Sequence, residues 1–275
     1  MRKSINIDRF CSLPVHAPGG VKQHAVLSAP WNFPAQLGSQ AYLKAFALPE
    51  VQKSVLFIDF DNTISLGDVL DSVIEKFSRT RQWEYWQTEW REGRISTLEC
   101  LRHQMGDLAV DEPTLRAFVR TIAIDPDFVR LQEWAAATGT EMLIVSDNFA
   151  PILDEILRHH NIVAPPVYAN ALAFADGHII PSFPFRSPTC ARCAHCKSVH
   201  FAQYEGYRTI YVGDGLSDTC PAMRADLVFA KDSLAAYLQA HGKSFVPFAN
   251  LGEVVTSLGT GGSRVPGGLA ARKSP

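Results

Sequence analysis

Four apolar residues, Val55, Leu56, Phe57 and Ile58, run without a polar break straight into Asp59-Phe60-Asp61-Asn62-Thr63. A segment apolar on both faces suits a strand inside a parallel sheet that helices cover on each side. A second run, Ile210-Tyr211-Val212, ends the same way, in Gly213-Asp214-Gly215-Leu216-Ser217-Asp218. Two buried strands that each finish in carboxylates restrict the chain to an α/β architecture whose acids gather at the carboxyl edge of the sheet, where such folds place their sites.

Residues two apart on a strand point to the same side, so Asp59 and Asp61 reach into one crevice. There one carboxylate can attack a phosphoryl group while the other protonates the leaving oxygen and later deprotonates water. A phosphate monoester is a dianion that a nest of acids repels, so a hard cation with oxygen ligands must stand between them. Asp214 and Asp218, together with the first pair, meet that need, and the expected cofactor is Mg2+. Either motif alone also reads as a turn or helix cap, because Asp-Asn-Thr and Gly-Asp-Gly are common loop formers.

Two further parts of the same chemistry lie between the acid motifs. Glu141-Met142-Leu143-Ile144-Val145 ends at Ser146-Asp147-Asn148, which sets a hydroxyl and fresh backbone donors after another buried strand, and Lys197 opens a helical stretch before the last motif. Asp-x-Asp-x-Thr, a strand-ending Ser, a Lys and Gly-Asp-Gly-x-x-Asp, in that order, resemble the four motifs of the haloacid dehalogenase superfamily. The resemblance implies a three-layer α/β core with a parallel sheet. It also implies Asp59 as nucleophile, Asp61 as acid/base, and Ser146, Asp147 and Lys197 as the phosphate-binding positions. The metal site it implies comprises Asp59, Asp61 through its main-chain carbonyl, Asp214, and Asp218, which orients a metal-bound water.

No apolar run among the 275 residues approaches the roughly 20 that a spanning helix needs, so no membrane partner is expected. Lys plus Arg total 26 against 28 acids, a balance without the basic footprint of a nucleic-acid binder. The expected partner is a small-molecule phosphate ester. Pro14, Pro18, Pro30 and Pro34 interrupt the first fifty residues, and Asp8 is the only acid before Glu50, so residues 1–52 read as a loose arm. Scattered Arg, Lys and Ser there also suit an organellar transit peptide, the alternative to a cytoplasmic location. The Gly-rich stretch 259–275 reads as a disordered tail.

From Asp59 to Ser146 the separation is 87 residues, far more than one crossover uses. Leu70, Val73, Ile74 and Phe77 share a helical stripe, and Trp83, Trp86 and Trp90 recur at three and four. Ser96 with Glu99 forms a capping box, and Leu115, Phe118, Val119 and Ile122 mark another helix. Residues 66–123 are therefore expected to form a small helical cap inserted after the first strand, with the core in 53–65 and 124–258. Such a cap matches the phosphoserine-phosphatase branch of the superfamily. Asp176-Gly177 between alternating runs reads as a hairpin turn.

Within that branch, residues 54 to 255 are most similar to the phosphatases of methionine salvage that act on 2-hydroxy-3-keto-5-methylthiopentenyl-1-phosphate, and to their relatives. The carrying residues are Glu89-Trp90 with Gly93-Arg94-Ile95-Ser96, the Cys-rich stretch before Lys197, and Ala225 to Asp232. Those enzymes commonly have Gly-Gly after the motif Ser, where this chain has Asp147-Asn148, adding a negative charge beside the phosphate pocket. Asp68 occupies the position where phosphoserine phosphatases carry an acid that grips the substrate amine; it reads equally as an acid at a helix N-terminus. A phosphocholine, phosphoethanolamine or phosphoserine substrate is the alternative to the methionine-salvage ester. An intramolecular phosphotransferase and a non-enzymatic binding protein are the other function classes, the latter disfavoured because no catalytic acid is missing.

Cys190, Cys193 and Cys196, with His195 and His200 nearby, read either as part of a structural zinc site or as a loop packed with small side chains beside Lys197. Cys11, Cys100 and Cys220 are scattered, which argues against a disulfide framework.

Overall fold

The structure, a computed structural model, describes residues 52–175 and 178–259. The expected arm (except Gln52), the expected tail (except Gly259), Cys11 and the Asp176-Gly177 turn lie outside the described residues. The strands are β1 (Ser54–Ile58), β2 (Glu141–Phe149), β3 (Val167–Ala175), β4 (His178–Ser182), β5 (Arg208–Gly213), β6 (Leu227–Ala230) and β7 (Val246–Pro247). They form one sheet of order β4-β3-β2-β1-β5-β6-β7, parallel except where β4 pairs antiparallel to β3.

The first apolar run takes the centre of this sheet because it has no polar face to offer water. Leu56 and Ile58 point to one side, among Ile144, Ile210, Val212 and Leu131; Val55 and Phe57 point to the other, among Leu143, Val145, Tyr211 and Leu238. All four are 0% exposed, and burying each stabilises the fold by about 1.5–3 kcal/mol. The core is thus the three-layer α/β arrangement expected, with helices on both faces.

Between β1 and β2 the chain makes five α-helices, of which the first four are α1 (Val69–Phe77), α2 (Trp83–Arg91), α3 (Thr97–Gly106) and α4 (Glu112–Val119). Their starts follow local chemistry. Asp68 accepts from the Asp71 N–H at the head of α1, and Asp111 accepts from Thr114 N–H ahead of α4, whose first turn holds Pro113. Ser96 and Glu99 form a reciprocal capping box on α3. The two ends of the insertion meet: Ser65 and Ile124 form an antiparallel bridge, Leu66 N–H donates to Ala123 O at 2.9 Å, and Asp125 N–H to Ile64 O at 2.7 Å. Fixed at its neck, the insertion returns the chain to α5 (Phe128–Thr138), which leads into β2.

A second tether joins the insertion to α6 (Ala150–His159). Glu155 on α6, only 3% exposed, accepts from Arg120 at 2.6 Å and Arg158 at 2.9 Å and pairs with Arg116 of α4. Burial would raise the Glu155 pKa, but hydrogen bonds from Arg120 and Arg116 outweigh it and hold the carboxyl below its ordinary value. The rest of the core is carried by α7 (Thr219–Arg224), α8 (Asp232–Ala240) and α9 (Leu251–Gly259), with 3₁₀ turns at Lys197–Tyr204 and Leu216–Asp218.

The arginines around Glu155 are 37% to 66% exposed, so water screens part of what they contribute. Glu155→Gln should therefore cost about 1–2 kcal/mol, less than the 3–5 of a fully buried pair. Equilibrium denaturation of wild type and variant measures it; an unchanged midpoint would mean that the cluster is solvated in effect and ties nothing.

Candidate active site

The parallel register brings the ends of β1, β2 and β5 side by side, since Ile58 lies opposite both Ile144 and Val212. Asp59 therefore emerges from β1 beside the Gly213–Asp218 turn. Its Oδ1 accepts from the Phe60 N–H at 2.7 Å and from Lys197 Nζ at 2.8 Å. Lys197, whose side chain is 0% exposed, also donates to Asp218 Oδ1 at 2.6 Å and to Ser217 Oγ at 3.2 Å. Burial alone would lower the lysine pKa, but Asp218, Asp59 and Asp147 reverse the effect and keep the ammonium charged.

Asp218 is engaged on both oxygens. Oδ1 takes the Tyr211 hydroxyl at 2.6 Å besides Lys197, and Oδ2 takes the Asp214 and Gly215 N–H groups, each at 3.0 Å. This closure requires glycine at 213, because a Cβ there would meet Asp218 Oδ2 at 2.5 Å. Asp214 accepts from Asn62 Nδ2 at 2.9 Å and from Thr63 Oγ1 at 3.2 Å, so the first motif positions the second. Asn62 Nδ2 also donates to Asp232 Oδ2 at 3.0 Å. Asn62 (φ 52°) and Asp232 (φ 47°) are both left-handed non-glycine residues, the kind of local strain that surrounding contacts must hold in place.

Asp61 turns the other way, toward β2. Its Oδ1 accepts from the Val69 N–H and from Asn148 Nδ2, each at 3.0 Å, and Asn148 Nδ2 also lies 3.1 Å from Oδ2, with Ser146 Oγ at 3.5 Å. The run expected to end at Ser146 continues as strand to Phe149, with a register shift against β3 between Val145 and Phe149. Such an irregularity re-aims side chains, and here it sends Asn148 to Asp61 while Asn170 Nδ2 holds the Asp147 carbonyl at 2.5 Å. Behind Ser146, His195 Nδ1 donates to the Ser146 carbonyl at 2.7 Å, and His195 Nε2 accepts from His200 Nε2 at 2.7 Å. Burial holds His195 down to about 3 and His200 to about 4, so both rings are neutral.

Above these groups lies a cavity of about 130 Å³, lined by Asp59, Asp61, Asp147 and Lys197 from the core and by Asp68, Asp71, Gln87, Trp90 and Gln104 from the insertion. Asp68 caps α1 and also lines this cavity. Trp90 is the cavity tryptophan, fixed by its Nε1–H to Thr97 Oγ1 at 2.9 Å, whereas Trp86 stacks on His103 at 3.7 Å. Gln104 Nε2 donates to Gln87 Oε1 at 3.0 Å, and Gln87 Nε2 to Asp71 Oδ2 at 3.2 Å.

One carboxylate oxygen each of Asp59, Asp214 and Asp218 lies within 4.8 Å of the others. Hard oxygen donors so close suit Mg2+, and burial, with mutual repulsion among the acids, raises the pKa of Asp59 and of Asp214. Burial, followed by Asp218, pushes Asp59 well above 3.8; burial and Asp68 do the same to Asp61. Asp68, Asp147 and Asp214 are each raised to about 6, with burial the first cause in every case. Asp147 Oδ1 is buried with no hydrogen-bond partner.

Asn148, Tyr211 and Asp232 went unread in the sequence as parts of this site. Asn148 had a signal, being the polar residue directly after the Ser-Asp pair; Tyr211 and Asp232 offered none, since one sits within an apolar run and the other opens a helix.

The fold and the clustered acids define a haloacid-dehalogenase-type phosphatase. The profile of the family described as Putative Phosphatase matches residues 54–237, and the chain belongs to that family. Among curated proteins it is similar to the 2-hydroxy-3-keto-5-methylthiopentenyl-1-phosphate phosphatase of Brevibacillus brevis, 27% identical over 75% of this chain and 96% of that protein. It is also similar to a polyol phosphate phosphatase of Saccharomyces cerevisiae, 23% identical over 75% and 92%. Among solved structures, a substrate-bound phosphoserine phosphatase aligns with TM-score 0.58 at 17% identity, covering 76% of this chain and 99% of its own, a likeness of fold.

Carboxyls with folded pKa values above 3.8 hold protons that the unfolded chain has released. The metal-free protein should therefore lose stability as pH rises from 3.8 through about 6. Added Mg2+ should restore it, most strongly at the upper end of that window. Thermal melts at several pH values with and without Mg2+ read this directly; a Mg2+ effect independent of pH would contradict the carboxylate nest as its site.

Proposed function

We propose that the chain hydrolyses a small-molecule phosphomonoester with Mg2+ through an aspartyl-phosphate on Asp59. The observation that carries this reading is the division of labour between the two acids of the first motif. Asp59 has one oxygen fixed by Phe60 N–H and Lys197, leaving the other for attack on phosphorus, while Asp61 is held apart by Val69 N–H and Asn148 with a raised pKa. A raised pKa makes it easier for Asp61 to hold and deliver a proton, the task of a general acid.

In the first half-reaction an Asp59 oxygen bonds to phosphorus, the ester P–O bond breaks, and Asp61 delivers its proton to the departing oxygen. In the second, water attacks phosphorus, Asp61 takes the water's proton, and the Asp59–phosphorus bond breaks to release inorganic phosphate. Lys197 and the Ser146 hydroxyl bind the transferred group. Asp59, the Asp61 carbonyl, Asp214 and Asp218 would hold Mg2+, which supplies charge neutralisation for the phosphate dianion. The engaged oxygens of Asp218 give it the task of orienting Lys197 and the 213–218 turn. We further propose residues 66–123 as a cap that selects the organic part of the ester.

On substrate, the named relatives support an enol phosphate of methionine salvage. The cavity favours a cationic ester such as phosphocholine or phosphoethanolamine, because Asp68 and Asp71 line it beside Trp90. Phosphoserine offers the same acids an ammonium but brings a carboxylate with it.

Asp59→Asn should abolish turnover, by several powers of ten, with the fold intact; near-parental activity with Mg2+ present would reject the nucleophile assignment. Asn148→Ala releases Asp61, and kcat should fall about 10–100-fold with KM nearly unchanged. In a phosphate-release panel, Asp68→Asn should raise KM for a cationic ester about tenfold, roughly 1.4 kcal/mol, and leave an uncharged enol phosphate unaffected. Equal effects on both would remove the cationic reading.

A further inference from the structure

The hydrolytic site leaves four thiols unused. The cysteines among the described residues form no disulfide, and four of them lie near one another although they come from two segments far apart in sequence. Cys190, Cys193 and Cys196 lie on the loop that ends at Lys197, and Cys220 lies on α7, two residues beyond Asp218. The Cys190 and Cys193 sulfurs are 3.5 Å apart. Cys190 also interacts with Cys196, and Cys193 with both Cys196 and Cys220, although no three of these sulfurs all lie within 4.8 Å of one another.

Four thiols are the donor set of a structural zinc site. With Zn–S bonds of about 2.3 Å in a tetrahedron, ligand sulfurs stand about 3.8 Å apart. The Cys190–Cys193 pair, at 3.5 Å, is near that separation and far from the roughly 2.05 Å of a disulfide. His195 does not compete as a ligand, because both of its nitrogens are engaged, one with Ser146 and one with His200.

The loop also reaches the insertion. Between Cys190 and Cys193, Arg192 donates from Nη1 to Gly93 O at 3.4 Å and from Nη2 to Ile95 O at 3.3 Å, and its own carbonyl accepts from Thr97 N–H at 2.9 Å. At its other end the loop hands directly to Lys197, with Cys196 N–H bonded to Phe185 O at 2.8 Å. We infer that Cys190, Cys193, Cys196 and Cys220 form a tetrathiolate zinc site, separate from the Mg2+ site. It staples the Lys197 loop to the helix after Asp218 and sets Arg192 against the insertion.

Binding draws the sulfurs from a chain of contacts into a closed tetrahedron, and each thiol releases its proton to water as its Zn–S bond forms; no oxidant or reductant takes part. The inference goes beyond the hydrolytic reading and does not depend on which ester is cleaved.

Full-length protein purified without chelators should carry close to one zinc per chain by elemental mass spectrometry, in addition to any Mg2+. The Cys220→Ser variant should lose at least nine-tenths of it, while Cys100→Ser, a thiol outside the cluster, should retain it. Growth with Co2+ in place of zinc should give wild-type protein the near-ultraviolet thiolate charge-transfer and visible bands of tetrahedral cobalt, a readout that stands if Cys220→Ser fails to fold. Zinc-free wild type with all its thiols titratable would overturn the inference. So would an intact mass two hydrogens light, from a Cys190–Cys193 disulfide, or zinc retained in Cys220→Ser.

Discussion

A lysine ammonium with no exposed surface sits between Asp59 and Asp218, at 2.8 and 2.6 Å. A lone buried charge costs several kcal/mol, and a pair repays that only with good geometry and further hydrogen bonds. The surrounding chain is arranged to supply both. Asp218 is itself satisfied by Tyr211 and two backbone amides, and Asp59 by the Phe60 amide. The ends of β1 and β5 and the start of the 3₁₀ turn at Lys197 are thereby fixed relative to each other by one ion. This explains the unsubstituted Cα at 213, since any side chain there would displace the Asp218 carboxylate.

Strain enters where the motifs touch. Asn62 and Asp232 both hold left-handed backbone conformations and share a hydrogen bond across the site, with Asn62 also gripping Asp214. Each such conformation costs of order 1–3 kcal/mol and is maintained by the rigid sheet below. Asn62 thereby carries the geometry of the first strand to the acid at the end of the fifth, 152 residues later in sequence.

Much of this was legible because it is periodic or local. The unbroken run Val55 to Ile58 could only be a central strand, the Ser96–Glu99 box announced a helix start, and the long interval before Ser146 required an insertion. Asp59 and Asp61 were readable as a pair, yet their separate partners were not. The partner of Asp61 is set by an irregularity in β2 that no alternation pattern shows, since Ser146-Asp147-Asn148 looks like the polar end of a strand. Nor does any local signal bring Cys220 to Cys193, or Arg192 to the carbonyls of Gly93 and Ile95. Those contacts depend on which strands become neighbours and on how the loop before Lys197 is folded back.

Charge balance in the cavity explains why the insertion and the metal act on the same problem. Of the described residues, Lys197 is the one cation placed among Asp59, Asp147 and Asp218, so these groups present net negative charge to an incoming phosphate dianion. Asp147 deepens it, with an oxygen that no donor satisfies. A divalent cation held by Asp59, Asp214 and Asp218 would reverse the balance at the phosphate end alone. Toward the insertion, Asp68 and Asp71 remain unneutralised by the metal, with Gln87 and Gln104 oriented to stabilise the Asp71 carboxylate rather than to oppose it. The two ends of the cavity thus differ in charge: Lys197 stands at one, and Asp68 and Asp71, each partly offset by Arg91, stand at the other, so the charge of an ester's organic part would be read by the acids of α1.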